Sequence, residues 1–174
     1  MYVVSLTKSL DKYDGKLSAA PLAKAKFEGW LKVCPTTLTL DGAPRPAVHA
    51  LMERIRRFWI PDEIILYIGK ATSLSERLTD YYRTPLGACS PHSGGYFLKL
   101  LSNLDQLWVH YARCDDPKRA EDRMLCRFCA NVSDDSRRSL RDPDHPFPFA
   151  NLAWPPGVRK DHGLPSVKAQ AGRA

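Results

Sequence analysis

The sequence contains no apolar run approaching the ~20 residues that a helix needs to cross a bilayer. Its opening stretch, Met1 to Leu6, is too short for the apolar core of a secretory signal and is soon followed by Lys8, Asp11 and Lys12. A cytoplasmic protein with no membrane partner is therefore expected. Cysteines are few: five in 174 residues, an odd number at irregular spacings, which implies no disulfide framework. Cys126 and Cys129 form one Cys-x-x-Cys, but the second pair that a zinc site needs is missing, so they read as free thiols packed on a helix. Internal repeats are also lacking. Acidic residues are the scarcer charge, 19 against 26 Lys and Arg, leaving a formal charge of +7.

What is present suffices for one domain with a real core, since 44% of residues are hydrophobic and 26% charged. A basic surface concentrates polyanions around it, and nucleic acid is the commonest of these. Charge alone does not single out DNA, because many basic proteins bind none.

Patterning along the chain predicts a short strand from Tyr2 to Leu6 and a helix from about Pro21 to Leu31. Pro35, Gly42, Pro44 and Pro46 mark a loop. Val48, Leu51, Ile55 and Phe58 then recur at helical spacing in a helix ending near Pro61. The nearly continuous apolar run Ile64 to Ile68 suits a central strand, and Ser73-Leu74-Ser75-Glu76 is a capping box that opens a helix running to about Arg83. A short apolar helix follows near Phe97 to Leu101, and Leu107 to Arg113 alternates as a third strand with Leu107, Val109 and Tyr111 on one face. Asp116-Pro117 starts a helix expected to reach about Val132. Residues 142–156 are rich in Pro and aromatics, and 157–174 read as a basic, loosely ordered tail.

Two groups of residues carry chemistry. On the helix opened by Asp116, Glu121 heads a stripe continued by Leu125, Phe128 and Val132, so its carboxylate points toward the core. A charge so placed is normally compensated by a cation, a metal or a raised pKa, though a Glu near a helix N-terminus also simply favours the helix dipole. The second group surrounds the end of the apolar strand: Tyr67, Lys70, Arg77 and Tyr81, with Arg77 and Tyr81 one turn apart. Leu74, Leu78 and Tyr82 on that helix read as its core stripe. Two phenols and two cations suit a phosphate, Arg by bidentate hydrogen bonds and Lys as a point charge. Each is also a common surface or packing residue. Arg54, Arg56, Arg57, Arg159 and Lys160 are further candidates for phosphate contacts, against the plainer reading of a solvated charged face.

Taken in order, Leu66-Tyr67-Ile68-Gly69-Lys70, Arg77 ten positions after Tyr67, Tyr81, Ala120-Glu121 and Pro148-Phe149-Ala150-Asn151 resemble the GIY-YIG nuclease domain over roughly half the chain. Met1-Tyr2-Val3-Val4 resembles that family's first triplet without its glycine; if Tyr2 were not that tyrosine, Trp30 to Leu40 would supply the first strand. The resemblance implies an α+β fold with a small three-stranded antiparallel sheet flanked by helices, a nuclease domain over residues 1–156, and a helical insertion over about 8–60. It implies hydrolysis of DNA phosphodiester bonds, with Glu121 holding one Mg²⁺ or Mn²⁺, a hard cation suited to oxygen ligands. Tyr67 would be the general base, its ionised form favoured by Lys70 and the metal. Arg77 would stabilise phosphoryl charge, Tyr2 and Tyr81 would position phosphate and water, and Asn151 would orient backbone and substrate. His92 matches a histidine that some members place in the site, and reads equally as a plain loop residue. Products would carry a 5′-phosphate and a 3′-hydroxyl. Cutting both strands with one site would take a homodimer or two encounters. An inactive nucleic-acid-binding module of the same fold and an RNA-cleaving nuclease are the rival readings.

Overall fold

The structure, a computed structural model, describes residues 1–10, 19–33, 38–88 and 94–164. Its centre is the strand β1 (Tyr2–Ser5), in which all four residues are buried. β1 pairs antiparallel on one side with β4 (Ile65–Gly69) and on the other with β5 (Trp108–Tyr111), giving the order β4-β1-β5. A second, two-stranded ribbon joins β2 (Thr39–Leu40) to β3 (Ala43–Pro44). The chain is thus α+β with the expected three-stranded antiparallel sheet.

The apolar run expected at the sheet centre lies instead at its edge. Its continuous hydrophobicity reflects cover on both faces and along its outer side. Ala150 donates its N–H to the Leu66 carbonyl (2.8 Å). The Asn151 side chain then grips Ile68 twice, accepting from its N–H at 2.9 Å and donating to its C=O at 2.8 Å. A side-chain amide has the same donor and acceptor as a strand backbone, so Asn151 closes the edge as a fourth strand would.

Alternation along β1 divides the core in two. Tyr2 and Val4 join the larger cluster, with Phe27, Trp30, Leu51, Ile55, Phe58, Phe97 and Phe149. Val3 joins the smaller one, with Ile68, Leu125, Phe128 and Val132. In β4 the register slips between Val4 and Ser5 of its partner, where Tyr67 and Ile65 are paired and Leu66 is left over. That bulge turns Leu66 and Tyr67 to the same side, that of the larger cluster.

Helix α4 (Pro117–Asn131) covers the smaller cluster, its start fixed by the Asp116 carboxylate accepting from Arg119 N–H (2.9 Å). The stripe expected from the sequence is the buried one, with Leu125, Phe128 and Val132 at 2%, 6% and 5% exposure. A short helix, α5 (Asp134–Ser139), follows it, and Ser133 and Ser136 both donate to Asp62. Helices α1 (Lys24–Val33) and α2 (Val48–Arg56) supply Phe27, Trp30, Leu51 and Ile55 to the larger cluster. The stretch read as an insertion therefore shares one core with the sheet. α2 stops before Pro61 because Phe58 and Trp59 enter tight turns that bury them. Trp30 is helical, which removes the alternative first strand from Trp30 to Leu40.

Helix α3 (Leu74–Arg83) begins as the capping box predicts, Ser73 accepting from Glu76 N–H at 3.4 Å. Its inward side differs from the expected stripe: Tyr81 is buried and Tyr82 is 66% exposed. At about 100° per residue, a residue seven positions on from Leu74 returns to within about 20° of it, whereas one eight positions on is about 80° away. The loose tail is also corrected as far as residue 164. Lys160 N–H donates to Leu152, Asp161 N–H to the Asp142 carboxylate, and Gly163 accepts from Asp41 N–H (2.8 Å). Among the described residues no helix is long and apolar enough to cross a membrane.

Candidate active site

The antiparallel register sets Val4 opposite Tyr67 and Tyr2 opposite Gly69, so the two phenols rise from adjacent strands on one face. Their rings stand 5.8 Å apart between centroids at an interplanar angle of 43°. Gly69 makes this possible. A Cβ there would sit 2.6 Å from Tyr67 Cε1 and 3.0 Å from both Cζ and Oη of Tyr2. The glycine of the Tyr-Ile-Gly triplet is thus required because two aromatic rings lie across its backbone.

Burial pushes both phenols above the ordinary tyrosine range. The two phenols also share a hydrogen bond. Arg77 lies close enough to favour ionisation of both and Glu121 close enough to oppose it. The helix of the smaller cluster and the strand of the larger one therefore bring Glu121 and the phenol pair to one place, at the end of the sheet.

Glu121 is 17% exposed at its side chain and pairs with Lys70, which follows the last residue of β4. Its compensating cation is this lysine. Lys70 thus engages the carboxylate rather than a phenol, contrary to the role expected of it. Asp122 is turned elsewhere, accepting from Trp154 Nε1 (2.9 Å) and Lys118 (3.1 Å). Among the described residues no three His, Cys, Asp or Glu side chains gather as a metal cage. An ion here would take Glu121 as its protein carboxylate, with water and phosphate for the rest, a ligand set that suits Mg²⁺.

Tyr2, Tyr67, Arg77 and Tyr81 line one cleft of about 460 Å³, counted to its open mouth. Tyr81 is its wall, with its hydroxyl directed at the Gly95 carbonyl (3.4 Å) and its ring under Lys99 Nζ (4.5 Å). Lys99 also donates to the carbonyls of Tyr81 and Thr84 and so caps the C-terminus of α3. Lys99 and the cleft residues Leu107, Val109 and Tyr82 are contributions the site reading did not assign. The alternation that put Leu107 and Val109 on one face was the available signal. His92 lies outside the described residues.

Four of the remaining candidates are committed elsewhere. Asn151 is buried and spends both ends of its amide on Ile68, so it orients the backbone of β4 and offers nothing to a substrate. Lys160, read as a phosphate contact, is 4% exposed and donates to the Pro148 (2.8 Å) and Phe149 (3.2 Å) carbonyls. Burial pushes its ammonium down to about 7. Arg54 is paired with Asp41 and donates to the His162 carbonyl (3.2 Å), tying α2 to residues 162–163. Arg56 is paired with Glu53 along α2. Arg57 and Arg159 are exposed. Comparison with protein-family models, with curated proteins and with solved structures finds no match to this chain.

Proposed function

We propose that the chain is a metal-dependent endonuclease of the GIY-YIG type that hydrolyses phosphodiester bonds in DNA. One observation carries the reading: Tyr2 and Tyr67 stand 5.8 Å apart over Gly69, with Arg77 and Glu121 both within electrostatic reach. Packing alone does not call for two phenols, a guanidinium and a half-buried carboxylate at one strand end. A phosphodiester does, because its hydrolysis needs a proton acceptor for the nucleophile and positive charge for the phosphoryl oxygens.

Arg77 holds the phosphoryl oxygens. One phenol of the pair, ionised to phenolate beside Arg77, accepts the proton of the attacking water and becomes the neutral phenol as the water oxygen bonds to phosphorus. Tyr67, the base expected from the sequence, has Tyr2 beside it as a second phenol for this role. Glu121 would hold Mg²⁺ or Mn²⁺, which supplies Lewis-acid stabilisation of the leaving oxygen. With Glu121 on such an ion, Lys70, which pairs with that carboxylate here, would be available to a phosphate oxygen.

The test is nicking of supercoiled plasmid in Mg²⁺ or Mn²⁺ by wild type and Glu121→Ala. Wild-type nicking that falls at least 100-fold in the variant is expected. A wild type that binds plasmid and leaves it intact at every metal concentration would instead favour a binding module, a reading supported by the Lys70–Glu121 pair, which already neutralises the carboxylate. A labelled RNA in the same assay tests the substrate.

A further inference from the structure

The cleft beside the phenol pair is open and more apolar than a phosphate needs. Beyond Tyr2, Tyr67 and Arg77 its lining is Val4, Leu78, Tyr81, Tyr82, Leu107 and Val109, among others, with few polar atoms. Water gains nothing on such walls, and a phosphate would lose hydration against them. A flat, weakly polar ring loses little and gains stacking. Tyr82, at 66% exposure, stands at the rim with its ring against Tyr81 (5.6 Å, 83°). Val109 and Tyr111, at 37% and 74% exposure, continue the same sheet face, Val109 opposite Val4 and Tyr111 opposite Tyr2. An exposed aromatic rim, an apolar interior and a guanidinium at one end match a nucleotide: phosphate at Arg77, base in the cleft.

We infer that the cleft takes one unpaired nucleobase, next to the phosphate held at Tyr2 and Arg77, so that the substrate is nucleic acid with an unstacked nucleotide. This rests on the nuclease reading for the phosphate end. A base within an intact duplex is stacked on both faces and cannot enter a cleft between a sheet and a helix. It must be single-stranded, mismatched or turned out of the helix. The selectivity is structural and is indifferent to which base is present, because the cleft walls offer π faces and methyl groups with few donors or acceptors.

The test separates base from backbone by measuring affinity, in EDTA so that nothing is cut. Fluorescence anisotropy compares a labelled single-stranded DNA with an oligonucleotide of equal length whose sites are all abasic, which has the same charge and no bases. Wild type should bind the base-bearing strand at least fivefold more tightly, the lower end of what one base–aromatic stack contributes. Tyr82→Ala, at an exposed position that folding does not depend on, and Val109→Trp, which fills the cleft, should bring that ratio toward one while affinity for the abasic strand holds. Equal wild-type affinity for the two strands overturns the inference, as does a loss in either variant that is the same for both. The two claims fail separately. Plasmid nicking without base-dependent binding removes the base site and leaves the nuclease, and base-dependent binding without nicking does the reverse.

Discussion

Replacing Asn151 tests the joint that holds β4 in place. Its amide makes two hydrogen bonds to one residue, at 2.9 Å from Ile68 N–H and 2.8 Å to Ile68 C=O, both in buried surroundings. In Asn151→Ala both backbone groups lose their partner, and each buried group left unpaired costs about 1–3 kcal/mol. Some of that cost is recovered if water enters the space left by the side chain, which puts the change at about 3 kcal/mol. For a chain of 174 residues the midpoint of thermal unfolding should then fall by roughly 6–12 °C. Asn151→Asp keeps the acceptor for the N–H but sets a carboxylate oxygen against the Ile68 carbonyl, so at pH 7 it should cost at least as much as alanine. Circular dichroism melts and urea titrations of wild type and both variants measure this directly. If Asn151→Ala melts within about 2 °C of wild type, the amide is not closing the strand edge and the account of β4 is wrong.

Gly69→Ala places a methyl 2.6 Å from Tyr67 Cε1 and should cost about 1–3 kcal/mol as the rings are pushed aside; plasmid nicking should drop at least tenfold, and unchanged nicking would show that the spacing of the phenols does not matter. Because burial holds Lys160 down at about 7 while its unfolded value is about 10.4, the unfolded chain binds more protons between those limits, so stability should rise with pH across that window. Urea midpoints at pH 7 and 9 should differ in wild type and converge in Lys160→Met; an equal rise in both would assign the effect to another group. Arg57→Ala and Arg159→Ala should each lower the salt slope of DNA binding by about one, whereas Arg54→Ala, whose guanidinium is held by Asp41 and the His162 carbonyl, should leave the slope and lower the melting temperature.

The local elements were legible where one chemical signal dominated. Ser73 and Asp116 each accept from a backbone N–H in the first turn of the helix they were expected to start. The Glu121 stripe is the buried face of α4. Tyr82 was misplaced because steps of four drift by about 80° from Leu74 over two turns, whereas the seventh position returns to within about 20° of it. Lys160 and Arg54 read as solvent-facing because composition does not distinguish a cation in water from one satisfied by carbonyls or an aspartate. The central position of β1 was hidden by its brevity. Four residues give little pattern, whereas the more apolar β4 resembled a centre because Phe149 to Asn151, more than 80 positions away, cover its edge.

The sequence by itself determined which helices and strands carry Tyr67, Arg77 and Glu121, since capping, alternation and helical period act over a few neighbouring residues. Only the tertiary structure decided that Tyr2 stands against Tyr67, that Glu121 reaches Lys70, and that an apolar cleft opens beside them. Those contacts join residues 65, 51 and more than 70 positions apart in the chain. Strand register and the division of the core into two clusters set them, and both are properties of long-range packing that no local pattern encodes.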